Sequence, residues 1–139
     1  MKSAITGICI LLAATNSDAA CLQGHPSTQG EFRTARYVLQ GFVKSGAVDP
    51  LDKDGFITGE HYTVDSLNVF KGRIRKSIVI YNPNDSGRFP LDIGSSYILF
   101  VSRDWKGRNV IDSCGNSVRL DNTQEPLLTE LTALAKIGN

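Results

Sequence analysis

The chain has 139 residues, 41% of them hydrophobic and 21% charged. That length and balance fit one globular domain and exclude a disordered or low-complexity chain. Its formal net charge of +1 supplies no bulk field of the kind that gathers nucleic acid or an anionic membrane.

The first stretch reads as an export signal. Lys2 gives a positive start, Ala4 to Ala14 is apolar but too short to span a bilayer, and small residues follow at Ser17, Ala19 and Ala20. Residues 1–20 are therefore set apart from a folded domain over 21–139, and the protein is expected to be secreted or periplasmic. Cutting after Ala20 makes Cys21 the first residue but places Asp18 three positions before the cut. Cutting after Ala19 places the small Ser17 there and leaves Ala20 ahead of Cys21. A lipoprotein signal ending at Cys21 is a third option, although Asp18 stands where a large aliphatic residue is usual. No other stretch is long and apolar enough for a membrane helix.

Of the three cysteines, Cys9 falls in the signal. Cys21 and Cys114 remain as an even pair in an exported chain and read as one disulfide. It would close a loop of roughly 90 residues, for which chain entropy gives at most about 4–5 kcal/mol.

A polar loop carrying His25-Pro26 follows Cys21, then a helical turn near Glu31 to Ala35. Arg36 to Ser45 reads as a strand with Tyr37, Leu39 and Val43 on one parity; Gly41 inside it marks a bend or a close backbone approach. Gly46 to Gly59 reads as a loop. Its DKDG has Pro50 and His61 where a calcium loop needs acids, so it is taken as a solvated turn with Gly55. Tyr62 to Gly72 is the longest strand-like stretch. Its apolar parity changes between Tyr62/Val64 and Leu67/Val69. One extra residue near Asp65-Ser66, a β-bulge, would bring the pairs to the same side, and burial on both faces is the other explanation.

The remaining elements are short. Ser77 to Tyr81 is a β-branched strand, Asn82 to Gly87 a turn cluster, and Ser96 to Ser102 an apolar strand covered on both sides. Asp104 to Asn109 is a hairpin tip with Gly107 left-handed, and Asn109 to Cys114 the last strand. From Pro126 to Ile137, Leu127, Leu128, Leu131, Leu134 and Ala135 follow helical spacing, with Asn122 or Thr123 as the expected cap. The expected fold is all-β, a five-stranded barrel of the oligonucleotide/oligosaccharide-binding type (OB-fold) with a C-terminal α-helix.

Several of these segments, in this order, resemble the netrin-like module and, within it, the N-terminal domain of the tissue inhibitors of metalloproteinases. They are Cys21 with His25-Pro26, ARYVLQGFV, YTVDSLNVFKG with its Lys-Gly end, GSSYILF, and Cys114. Two departures stand out: Gln23 occupies the second cysteine of the family's Cys-x-Cys start, and Ser86 stands where a cysteine often precedes the turn glycine. The resemblance implies a non-enzymatic partner of a zinc metalloprotease. The Cys21 amine and carbonyl would chelate the protease zinc in its open position, and the Leu22 side chain would enter the adjoining pocket. That mechanism requires Cys21 to be the first residue. The alternative is a structural or adhesive envelope module in which Cys21 is only a staple.

No catalytic motif competes with that reading. His25 and His61 are the only imidazoles, and no Gly-x-Ser-x-Gly, His-Glu-x-x-His or Cys-x-x-Cys occurs. The expectation is no catalysis, no cofactor, no metal bound by the isolated chain and no nucleic-acid partner. Trp105, at a hairpin tip, is either a partner contact or folded onto its own hairpin.

Overall fold

The computed structural model describes residues 21–138. The expected signal peptide and both cleavage sites lie outside the described residues. The order is α1 (Thr28–Thr34), β1 (Tyr37–Val48), β2 (Gly59–Lys71), β3 (Ser77–Pro83), β4 (Ser96–Arg103), β5 (Asn109–Ile111), β6 (Val118–Arg119) and α2 (Glu125–Ile137). All strand pairs are antiparallel, in the order β3-β2-β1-β4-β5, with β6 also pairing β4.

The all-β class and the C-terminal helix are as expected; barrel closure is not. The edge strands β3 and β5 approach each other, and Asn109 Nδ2 donates to the Val79 carbonyl at 3.0 Å. No ladder joins them, so the sheet is not closed into a barrel. The cause is the shortness of β5. The chain leaves it after Ile111 for a turn in which Asp112 Oδ1 accepts from the Cys114 N–H at 2.8 Å. The two-residue β6 then takes the rest of the β4 edge, pairing Val118 with Ile98. Two residues carry no periodicity, so this sixth strand has no signature in the sequence.

Two hydrophobic clusters share the sheet. On one face Leu39, Val43, Tyr62, Val64, Ile80 and Leu99 are buried together. On the other, Val38, Phe70, Ile98 and Phe100 pack against Phe32 of α1 and Leu131 of α2. β4 serves both, which explains its continuous apolar run. The helical face expected from Leu127, Leu128, Leu131, Leu134 and Ala135 is the one that packs on the sheet. Its start differs from expectation: Gln124 is the cap residue and makes no side-chain cap bond. Thr123 is instead tied to Asp121, whose Oδ1 accepts from its N–H and hydroxyl.

The long strand is bulged, though not as the parity argument required. Gln40 pairs Asn68 and Gly41 pairs Ser66, so Leu67 has no opposite residue; Phe70 and Lys44 are skipped likewise. The bulged Leu67 points to solvent, 57% exposed, instead of rejoining Tyr62 and Val64. Phe70 is the buried residue at that end, on the opposite face. β1 also runs on to Val48, into what reads as a loop from its composition.

Gly41 is the close approach its position suggested. A Cβ there would lie 2.5 Å from Val64 Cγ1. The Lys-Gly end of β2 has a physical reason too. Lys71 Nζ donates to the Phe32 and Arg33 carbonyls, both at 2.7 Å, closing the C-terminal end of α1. Burial lowers the pKa of this ammonium. Gly72, at φ 85°, brings its backbone against the Tyr37 ring, where a Cβ would sit 2.5 Å from Cδ1.

Gly41→Ala is expected to cost about 1–3 kcal/mol by overpacking a stiff β-branched neighbour. Combined with Val64→Ala, the loss measured by urea denaturation should be smaller than the sum of the two single losses. Strict additivity would show that the contact does not constrain the sheet.

Candidate functional site

The residues marked by the sequence sit on an N-terminal arm that crosses the end of β5. Cys21 and Cys114 stand in disulfide geometry, with Cα atoms 5.7 Å apart and sulfurs 2.01 Å apart. Residues 21–24 form a tight turn in which the Gly24 N–H donates to the Cys21 carbonyl at 2.8 Å. Leu22 at its apex is 95% exposed. A shallow depression of about 440 Å³ lies here, lined by the turn, Pro26, Asp112 and Cys114.

The arm is held by more than sulfur. His25 Nδ1 lies 2.8 Å from the Cys114 carbonyl, so its N–H donates there. Asn116 Nδ2 donates to the Pro26 carbonyl at 3.0 Å and to Glu31 Oε2 at 2.7 Å. The Asn116 backbone N–H donates to the same Glu31 oxygen at 2.6 Å. Gly115 makes room for that carboxylate, since a Cβ on it would collide with Glu31 Oε1. Ser27 begins α1 as its cap, accepting from the Gly30 N–H at 3.1 Å. Sequence reasoning missed Glu31, Gly115 and Asn116. Their meeting spans 85 residues and has no local signature.

The second imidazole is in another setting. His61 Nδ1 lies 2.5 Å from Asp49 Oδ1, and its ring centroid is 5.2 Å from that of Tyr81. Tyr81 donates to the Thr58 carbonyl at 2.8 Å, and the Arg108 guanidinium lies 3.5 Å from its ring centroid. The β1–β2 loop and the β4–β5 hairpin therefore meet over β3. His25 and His61 belong to separate networks. Among the described residues, no three or more His, Cys, Asp or Glu side chains converge as a metal site. None of the described helices is long and apolar enough to cross a membrane.

DKDG is a closed turn: Asp52 Oδ1 accepts from the Asp54 and Phe56 N–H groups, both at 2.9 Å, and Gly55 has φ 82°. Trp105 does not fold onto the sheet and is 88% exposed. Its hairpin is fixed by Asp104. Oδ1 accepts from the Lys106 and Arg108 N–H groups, both at 2.9 Å, and Oδ2 accepts from Arg108 Nε at 2.7 Å. Desolvation opposes the Asp104 charge, but the Arg108 backbone and guanidinium outweigh it and hold the carboxyl below its ordinary range.

No known protein-family model matches this chain, and no curated protein matches it.

Two outcomes follow. Asn116→Ala should cost about 1–3 kcal/mol, because it removes a charge-assisted bond to the half-buried Glu31 and the bond to the Pro26 carbonyl. After reduction of the cysteine pair, the arm of the variant should be clipped by protease faster than that of the reduced parent; equal clipping would show that the hydrogen bonds do not hold the arm. For Asp104 the folded pKa lies below the unfolded one, so its contribution is present above the unfolded value and lost as pH falls through the folded value. The stability difference between the parent and Asp104→Asn should therefore shrink on acidification, read from urea midpoints across pH.

Proposed function

We propose that this chain is a non-enzymatic binding module whose N-terminal edge engages the active site of a zinc metalloprotease. The observation that carries the reading is the pairing of a 95% exposed Leu22 with a Cys21 tied to the sheet through Cys114. An apolar side chain presented from a pinned backbone loses little freedom on binding, which reduces the ordering cost of association. In this reading the Cys21 amine and carbonyl oxygen occupy the open position of the protease zinc, and Leu22 fills the pocket beside it. The Cys21 carbonyl accepts a hydrogen bond from Gly24, which closes the turn that presents Leu22. The amine must be unprotonated to coordinate; its reference pKa of about 7.7–8.0 brings that within reach near neutrality. The chain must begin at Cys21 when it acts, and export with removal of residues 1–20 belongs to the same proposal.

The test is inhibition of a panel of zinc endopeptidases by the exported protein, with its first residue established by mass spectrometry. The expected result is a start at Cys21, inhibition that acetylation of the amine abolishes, and at least about tenfold weaker inhibition by Leu22→Gly, given 1–3 kcal/mol for a filled apolar pocket. Inhibition that survives acetylation refutes chelation. A mature start at Ala20 also refutes it and leaves the arm as a strap in a structural envelope module.

A further inference from the structure

The small net charge conceals an uneven distribution. Register places the start of β1 and the ends of β2 and β4 at one end of the sheet, since Tyr37 pairs with Val101 and Val38 with Lys71. Arg33 and Arg36 precede β1, and Arg73, Arg75 and Lys76 follow β2; Arg103 closes β4. All six are exposed. None of them makes an ion pair among the described residues. The carboxylates in the same segments are engaged, Glu31 by Asn116 and Asp104 by Arg108. Arg36 donates to the Tyr37 hydroxyl at 3.0 Å. That bond, helped by the charge of Arg103 and opposed by some desolvation, lowers the Tyr37 pKa, so Arg36 and Arg103 both act on one ring.

The other end has the reverse balance. Asp49, Asp52 and Asp54 occupy the β1–β2 connection with Lys53, and Glu60 begins β2 and pairs with Arg88. Asp85 and Asp92 lie between β3 and β4, Asp92 pairing with Arg119, so acids outnumber bases there. The molecule is therefore polarised along its strands.

Trp105 adds a second, independent observation. It stands at the tip of the hairpin that leaves the basic end directly after Arg103. It is 88% exposed, with the Lys106 ammonium 4.8 Å from its ring centroid. The Asp104 bonds make that hairpin preformed. An indole with an apolar body and one N–H suits the headgroup layer of a membrane, and surrounding cations suit anionic headgroups. A nucleic-acid strand would instead need successive aromatic platforms along a groove. Here the next most exposed aromatic, Phe56, lies in the carboxylate-rich β1–β2 connection and not among the arginines.

We propose that the basic end docks on an anionic lipid surface, with the arginines facing phosphate headgroups and Trp105 seated at the interface. The carboxylates of the β1–β2 connection then lie at the other end of β1 from Arg33 and Arg36, which favours one orientation on the surface.

Trp105 is the only tryptophan in the chain, so its emission reports on docking without a label. The expected result is a blue shift and co-sedimentation with vesicles of phosphatidylglycerol and phosphatidylcholine. Both should be absent with phosphatidylcholine alone and reversed by salt. Arg73→Gln and Arg75→Gln, at sites with no partner to lose, should each weaken co-sedimentation about fivefold. Trp105→Ala should weaken it further while leaving the circular dichroism of the fold unchanged. Unshifted emission at low salt, or equal binding to neutral vesicles, overturns the proposal. So does binding to a soluble sulfated polysaccharide or to single-stranded DNA without binding to vesicles, which would reassign the basic end to that polyanion.

Discussion

β1 is the strand on which the molecule depends, because it is hydrogen-bonded along both edges and packed on both faces. Leu39 and Val43 enter one cluster and Val38 the other, so displacing β1 would empty two cores at once. Such a strand must also bend as the sheet coils. Gly41 allows this by having no side chain where Val64 crosses the interior. The bulges at Lys44, Leu67 and Phe70 then absorb the mismatch between β1 and β2. The N-terminal arm depends on the same end of the sheet, where Phe32 of α1 packs with Val38, Phe70, Ile98 and Phe100 and Lys71 closes the helix.

The arm and the basic end are built on different principles. The arm is over-determined: Cys21 and His25 both hold it at Cys114, and Pro26 and Glu31 both hold it at Asn116. The exposed Leu22 therefore stands on a backbone that is already ordered. The basic end has the opposite character, with exposed cations that make no ion pair among the described residues and an indole that is 88% exposed. Self-repulsion there costs some stability. Segregation at nearly zero net charge keeps the cost local.

The legible parts of the fold were those with local signatures. The alternation of Tyr37, Leu39 and Val43, the apolar run of Ser96 to Ser102, the left-handed Gly107 and the leucine spacing of the last helix each specify an element within one turn or one strand. The bulge in β2 was legible as a break in parity. Its direction was not, because whether Leu67 rejoins the interior depends on how β1 bends at Gly41. The short β6 and the missing closing ladder depend on where the chain leaves β5, at a turn that the Asp112 side chain and carbonyl hold. At the arm, Cys21, Leu22 and Cys114 were visible from export logic and residue type. The Glu31–Asn116 bond was not, since nothing local marks partners so far apart. Charge polarity was hidden for a related reason: a sum over the chain discards position, and only the strand register sorts the charges to the two ends.

The hydrogen bonds of His25 and Asn116 have a further consequence for the chemistry of the sulfur pair. Because they would persist when the bond between Cys21 and Cys114 is broken, the two thiols would not drift apart as they would in an untethered tail. Their effective concentration would stay high, and reoxidation would be an intramolecular collision between groups already side by side. The arm would then be self-healing: a reductant would have to melt the hydrogen-bonded scaffold, as well as attack the sulfurs, before the first residues came permanently loose.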